Sequence, residues 1–262
     1  MPRFAANLSM LFTELPLLAR FEAAAQAGFT GVEMMFPYEA PAHELAAALT
    51  ANQLEMVLFN APPGDFTAGE RGIAGLPGRE AEFEKSLLQA LAYAAELDCP
   101  RIHVMAGLTH QGARRRIWVE NLRRAAHLAA AAGVTLLVEP INQRDMPGYL
   151  VSRTQEALAL IALVDAPNLR LQLDLYHRQI MEGDLIATIR EYSEFIAHVQ
   201  IAQPPDRGEP DRGEIAFPAV LAALDDTGYQ GWVGCEYRPR AGTLEGLGWL
   251  KSWWPSSDIQ RP

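Results

Sequence analysis

Val134-Thr135-Leu136-Leu137-Val138-Glu139-Pro140-Ile141-Asn142 is the stretch that decides the fold. Five apolar or β-branched residues run straight into a carboxylate, and a proline follows at once. A strand with one face in water would alternate polar and apolar residues. This run does not, so it reads as a strand buried on both faces. Pro140 lacks a backbone donor and favours an extended residue before it, so the strand is expected to stop near Glu139. A carboxylate at the end of a buried strand is costly unless something pairs with it.

Outward from this strand the chain alternates. Upstream, Phe4–Leu8, Gly31–Phe36, Leu54–Phe59 and Arg101–Ala106 read as strands. A first helix is expected with Thr13 as its cap and Pro16 in its first turn, ending at Gly28. Pro41 opens a second, Glu80–Leu97 forms a third, and an alanine-rich one spans about Arg114 to Ala132. Downstream, Ser152 with Gln155 fits a capping box for a helix through Val164. Strands follow at Leu169–Asp174, Ile196–Ile201 and Gly231–Glu236, with helices marked by Leu185 and Ile189, by Val220 and Leu224, and over Thr243–Lys251. Eight strand–helix units specify a parallel sheet, and in one domain over residues 1–262 they point to a single α/β (β/α)8 TIM barrel. A doubly wound open sheet is weakened because Asn7-Leu8-Ser9-Met10 stands where a glycine-rich phosphate turn would be. The tail from about 254 is expected to be loosely held.

The chain has 262 residues, 49% of them hydrophobic, and a formal charge of -10. That acidity argues against a nucleic-acid partner. Cys99 and Cys235 offer no disulfide framework. With no long apolar run and no signal-peptide plan, a soluble cytoplasmic protein with no membrane partner is expected. Trp249, Trp253 and Trp254 read as exposed apolar surface, either a homo-oligomer contact or a docked tail.

The chemistry of such a barrel sits at the C-terminal ends of its strands. Four consecutive strands end in metal-type oxygen donors: Glu139, Asp174, Gln200 and Glu236. One polar residue at a strand end is an ordinary solvated turn residue; four in succession, three of them acidic, form a pattern. Three carboxylates and a neutral oxygen suit Mg²⁺ or Mn²⁺ better than Zn²⁺. By alternation His198 shares the face of Gln200, and Gly234 that of Glu236, where it leaves room for a ligand or neighbouring backbone. Glu33 reads as structural. The segment Asn60–Gly78, with five glycines and three prolines, reads as a binding loop or lid, and holds Glu70 and Arg71.

The segments Phe4–Phe12, Gly64–Ala74, Glu139-Pro-Ile-Asn142, Asp174-Leu-Tyr-His177, His198–Ala202, Arg207-Gly-Glu-Pro210 and Gly231–Tyr237 resemble the hydroxypyruvate isomerase family of xylose-isomerase-like barrels. The resemblance implies Glu139 and Glu236 as a catalytic acid/base pair that also binds metal, with Asp174 and Gln200 as further ligands. It implies His177 and Arg207 as substrate contacts. Related epimerases usually carry histidine at the Gln200 position and glutamate where Asp145 stands.

The expected reaction is an aldose–ketose isomerisation of a small hydroxy-keto acid, hydroxypyruvate to tartronate semialdehyde, through an enediolate. One glutamate removes a proton and the other returns it to the neighbouring carbon, with a divalent metal stabilising the oxyanion. An anionic substrate needs a cation, and Arg207 and Arg71 are the candidates. Their bland alternatives are surface ion pairs, Arg207 with Glu209 and Arg71 with Glu70. The competing readings are a 2-oxotetronate isomerase or ketose 3-epimerase, an abasic-site endonuclease, and a barrel that only binds a sugar acid.

Overall fold

The computed structural model describes residues 2–253. Eight parallel strands close into one barrel in sequence order: β1 (Arg3–Asn7), β2 (Gly31–Met34), β3 (Glu55–Asn60), β4 (Arg101–His103), β5 (Thr135–Val138), β6 (Leu169–Asp174), β7 (Ile196–Ile201) and β8 (Trp232–Cys235). Helices cover the outside: α1 (Leu17–Gln26), α2 (Ala42–Asn52), α3 (Glu80–Leu97), α4 (Arg115–Ala131), α5 (Thr154–Val164), α6 (Leu175–Met181), α7 (Leu185–Tyr192), α8 (Phe217–Asp226), α9 (Thr243–Gly246) and α10 (Gly248–Trp253). The expected barrel is the observed one.

Most apolar residues pack between the strands and the helices, as the outward-facing Ile102, Leu136, Val138, Leu171 and Val199 do. The barrel interior carries a second, smaller apolar cluster of Ala5, Val57, Leu58, Leu137 and Trp232. Its floor is shaped by a small residue beside a large one. A Cβ on Gly31 would lie 2.6 Å from the Trp232 ring, so β2 can pass the indole only because residue 31 has no side chain. Above this plug the interior turns polar: Asn7, Glu33, His103, Gln172, Asp174, His198 and Gln200 are all buried. Polar groups without water need partners, and most of this layer bonds across several strands, leaving His103 Nε2, Gln172 Oε1 and His198 Nδ1 unpaired.

Several boundaries differ from expectation. The helix α1 starts after Pro16, and Thr13 does not cap it. The capping acid of α5 is Glu156, whose Oε2 accepts from the backbone N–H groups of Ser152 (3.0 Å) and Arg153 (3.1 Å); Gln155 does not fill that place. The strand β4 stops at His103 because the chain beyond it turns to bond the loop after β3, with Gly75 N–H donating to the Ala106 carbonyl and Gly107 N–H to the Arg71 carbonyl. An unforeseen helix, α6, begins directly after β6. Asp174 caps it, accepting from Tyr176 N–H at 2.7 Å. Trp249 is buried, edge-on to Phe4 at 5.4 Å, so it is not the expected exposed patch; the Trp253 side chain, Trp254 and the tail lie outside the described residues.

Candidate active site

The ends of β5, β6, β7 and β8 converge as the sequence predicts. Asp174 is the Cα partner of Gln200, and Gln200 that of Gly234, two residues before Glu236. Glu139, Asp174, Gln200 and Glu236 are all at most 8% exposed. Burial, reinforced by Glu236 and Asp174, raises the Glu139 carboxyl well above its ordinary value. Burial likewise raises Asp174 and pushes Glu236 up to about 8, against the opposing pull of Arg207.

Arg207 is the cation set against these acids. Its Nη2 donates to Glu236 Oε2 at 2.6 Å and to Asp174 Oδ2 at 3.2 Å, and the guanidinium lies 5.1 Å from the Tyr176 ring centroid. Residue 207 has a φ of +57°, a left-handed turn that returns the chain after β7 toward the barrel mouth. The alternative pairing with Glu209 is not found, because Glu209 pairs with Arg240.

His177, in the first turn of α6, faces the same acids. Its Nε2 lies 3.5 Å from Asp174 Oδ2 and 3.7 Å from Glu139 Oε1. Its Nδ1 lies 2.6 Å from Asn142 Nδ2. Asn142 Oδ1 accepts from Asp145 N–H at 2.8 Å, and its Nδ2 donates to Asp145 Oδ2 at 3.2 Å, which fixes the direction of the amide. The His177 Nδ1 therefore accepts, its proton sits on Nε2, and Nε2–H points at the carboxylates. Burial, with Arg207 beside it, holds this imidazole well below its ordinary value, so it is a neutral donor.

His103 is a site residue that the sequence reading missed. Its Nδ1 lies 3.2 Å from Asn60 Oδ1 and 3.5 Å from Glu139 Oε2, both acceptors. That places the proton on Nδ1 and leaves Nε2 buried without a partner. Burial lowers its pKa to about 3. Face alternation from Arg101 would have found it had β4 been taken to end at His103 rather than at Ala106.

The layer beneath belongs to Glu33. Its carboxylate accepts from Asn7 Nδ2 (2.9 Å), Gln200 Nε2 (2.8 Å) and His198 Nε2 (2.7 Å). The space left by Gly234 is filled by this carboxylate, since a Cβ at 234 would fall on Glu33 Oε2, and not by a ligand or backbone. Gln200 also accepts, from Gln172 Nε2 at 2.6 Å.

The loop after β3 is a packed wall, with Ile73, Ala74 and Leu76 buried. Arg71 lays its guanidinium over Phe66, 3.8 Å from the ring centroid, and donates to the carbonyls of Phe66 and Glu70. The Glu70 carboxylate turns back into the loop, accepting from Asp65 N–H at 2.6 Å and pairing with Arg79 rather than with Arg71.

Ligand-type atoms of Glu139, Asp174 and His177 all lie within 4.8 Å of one another, the compact group able to hold a metal ion among the described residues, with His177 joining the two carboxylates only as the tautomer that frees Nε2. The buried carboxylates of this group, whose pKa values are raised, are what a divalent ion would compensate.

A family model described as a xylose isomerase-like TIM barrel matches residues 21–253. The chain is 54% identical over 255 residues to a 2-oxo-tetronate isomerase of Cupriavidus necator, covering 96% of this chain and 98% of that one. It is 47% identical to the hydroxypyruvate isomerase of Escherichia coli, covering 95% and 98%. A crystal structure from Brucella melitensis, titled AP endonuclease, family 2, superposes with a TM-score of 0.94 at 50% identity, covering 97% of this chain and 99% of that one. The eight-stranded barrel, the acids at its mouth and these full-length likenesses agree: the chain belongs to the xylose isomerase-like TIM-barrel family.

Proposed function

We propose that the protein isomerises a small 2-oxo-3-hydroxy acid, interconverting hydroxypyruvate and tartronate semialdehyde by proton transfer between Glu139 and Glu236. The chain is an isomerase, as its full-length relatives are named. The observation that carries the proton-transfer reading is the pairing of two buried glutamates with raised pKa values beside one arginine. A carboxyl raised to about 8, as that of Glu236, both takes and returns a proton at working pH. One glutamate removes the proton from C3 to give the enediolate, the hydroxyl proton passes from O3 to O2, and the other glutamate delivers a proton to C2 as C3 becomes the carbonyl. Because the reaction is reversible, they exchange roles with its direction.

The substrate is an anion, and Arg207 supplies the charge-assisted donor for its carboxylate, exchanging part of its contact with Glu236 and Asp174 for the ligand. His177 donates from Nε2 to a substrate oxygen. Arg71 closes the approach from the loop after β3, and Glu70 braces that loop through Arg79. Glu139, Asp174 and Glu236, with the Gln200 carbonyl, would hold Mg²⁺ or Mn²⁺. Such an ion supplies Lewis-acid stabilisation to the enediolate oxyanion.

The 2-oxotetronate reading is favoured by one observation, the 54% identity to an enzyme of that name against 47% to a hydroxypyruvate isomerase. Both substrates present the same 2-oxo-3-hydroxy carboxylate, and 2-oxotetronate adds a hydroxymethyl group at C3. A DNA-directed role fits poorly with a net charge of -10. The test is turnover of hydroxypyruvate, 2-oxotetronate and a free ketohexose, with and without chelator. Turnover of the ketohexose alone sinks the keto-acid reading, and loss of all turnover in chelator supports the metal.

A further inference from the structure

Glu33 is 1% exposed, and nothing in its sequence neighbourhood marks it as more than a buried acid. Its three side-chain donors come from β1 and β7, with Asn7 and Gln200 both bonding Oε1 and His198 bonding Oε2. Asn7 is itself fixed in direction, because its Oδ1 accepts from Ser9 N–H at 3.0 Å. Beside it, Gly234 gives up the space a side chain would take. A buried acid so thoroughly held is a rigid acceptor.

A glutamine side chain has two ends of nearly the same shape, one donating and one accepting. Facing a carboxylate, it must present its NH₂. Gln200 does so at 2.8 Å, and its carbonyl then faces β6, where Gln172 Nε2 donates to it at 2.6 Å. The carbonyl keeps a second lone pair. β6 is the strand that ends in Asp174, the register partner of Gln200. We propose that Glu33 is a positioning residue: by accepting the Gln200 NH₂ it leaves the Gln200 carbonyl oxygen as the end that faces β6, the strand closed by Asp174, and so sets the neutral oxygen donor of the divalent-cation site. This rests on the metal-assisted reading above. Without Glu33 either end of the Gln200 amide can face β6. An NH₂ turned that way would repel a cation and occupy a carboxylate needed to bind it.

The test is Mn²⁺ binding by electron paramagnetic resonance, read beside thermal stability. It uses the wild type, Glu33→Gln, Gln200→Glu and the swap Glu33→Gln/Gln200→Glu. Glu33→Gln is expected to keep the fold and to bind Mn²⁺ about 10- to 100-fold more weakly, as loss of a partner behind a metal ligand usually does. In the swap, position 200 offers oxygen whichever way it turns, and the amide introduced at position 33 donates to it, so affinity is expected to recover roughly tenfold over Glu33→Gln. A merely structural role for Glu33 predicts no such recovery. Wild-type binding with Glu33→Gln within about twofold of it overturns this inference alone, and so does a swap no tighter than the weaker single variant. No Mn²⁺ binding by the wild type overturns the metal reading and this inference with it. Should Glu33→Gln fail to fold, the wild type decides by ¹³C resonance of the Gln200 side-chain carbonyl. A shift on saturation with Mg²⁺ supports the proposal, and an unmoved resonance overturns it.

Discussion

Arg207 Nη2 lies 2.6 Å from Glu236 Oε2 and 3.2 Å from Asp174 Oδ2, so a loop residue after β7 supplies the positive charge for acids that end β6 and β8. Replacing Arg207 by methionine keeps the stem and removes the donor. A hydrogen bond to a charged group contributes about 1.5–3 kcal/mol, or roughly 10- to 100-fold. The expected result is a rise in KM for the keto acid of about that size. Steady-state kinetics on hydroxypyruvate and 2-oxotetronate measure it, and an unchanged KM for both removes Arg207 from substrate binding.

Glu139→Gln removes the proton carrier and keeps the shape. The rate is expected to fall by about 10²- to 10⁴-fold. Thermal stability should hold, because the variant no longer buries an acid whose charge is disfavoured there. The complementary readout is exchange of the C3 hydrogen of the substrate into D₂O. Full isomerase activity in the variant would leave Glu139 with no part in the chemistry.

How far these residues can be read from sequence depends on distance along the chain. α3, β6 and β7 are legible to the residue, because their hydrophobic periods are local. The oxygen donors at four strand ends, three of them acids, are visible because barrel topology repeats itself along the sequence. α6 is not, since seven residues directly after a strand give too little period to detect. His103 escapes because the length of β4 is set by bonds to a loop more than twenty residues upstream. Glu33 reads as structural because its partners, Asn7, His198 and Gln200, come together only when the barrel closes.

The acids also make stability depend on pH. Glu139, Asp174 and Glu236 are raised in the folded state, Glu236 to about 8 from an ordinary 4.5. Each such group stabilises the fold fully below its unfolded value and loses that contribution as pH rises through its folded value. The buried His103 and His177 act in the opposite sense. They are depressed below an ordinary 6.5, so their contribution is present above that value and lost as pH falls toward the folded one. Between about pH 6.5 and 8 the loss from Glu236 outweighs the small remainder of the histidine contribution, and Tm of chelator-treated protein is expected to fall across that window. Mg²⁺ or Mn²⁺ should raise Tm more at pH 8 than at pH 6.5, since the ion binds the ionised acids. A chelated Tm that is flat or rising from pH 6.5 to 8 contradicts the raised values.

Two glycines that flank Ala5 in the sheet, Gly31 on β2 and Gly234 on β8, separate packing from site geometry. Gly31→Ala drives a methyl into the Trp232 ring, with its Cβ 2.6 Å from the indole, while Gly234→Ala drives one into the Glu33 carboxylate. Overpacking of this kind typically costs about 1–3 kcal/mol, so both variants should lose roughly 2–12 °C in Tm. They part in metal affinity. Trp232 belongs to the apolar plug at the barrel floor, so a shift of its ring is expected to leave metal affinity near that of the wild type. Glu33 holds the Gln200 amide, so displacing it should weaken Mn²⁺ binding by about 10-fold or more in Gly234→Ala alone. Calorimetric titration of both variants with Mn²⁺, beside their melting curves, makes the comparison. Equal loss of affinity in the two would mean that the barrel transmits any packing defect to its mouth; loss confined to Gly234→Ala would trace the effect to the carboxylate that fills the space beside that residue.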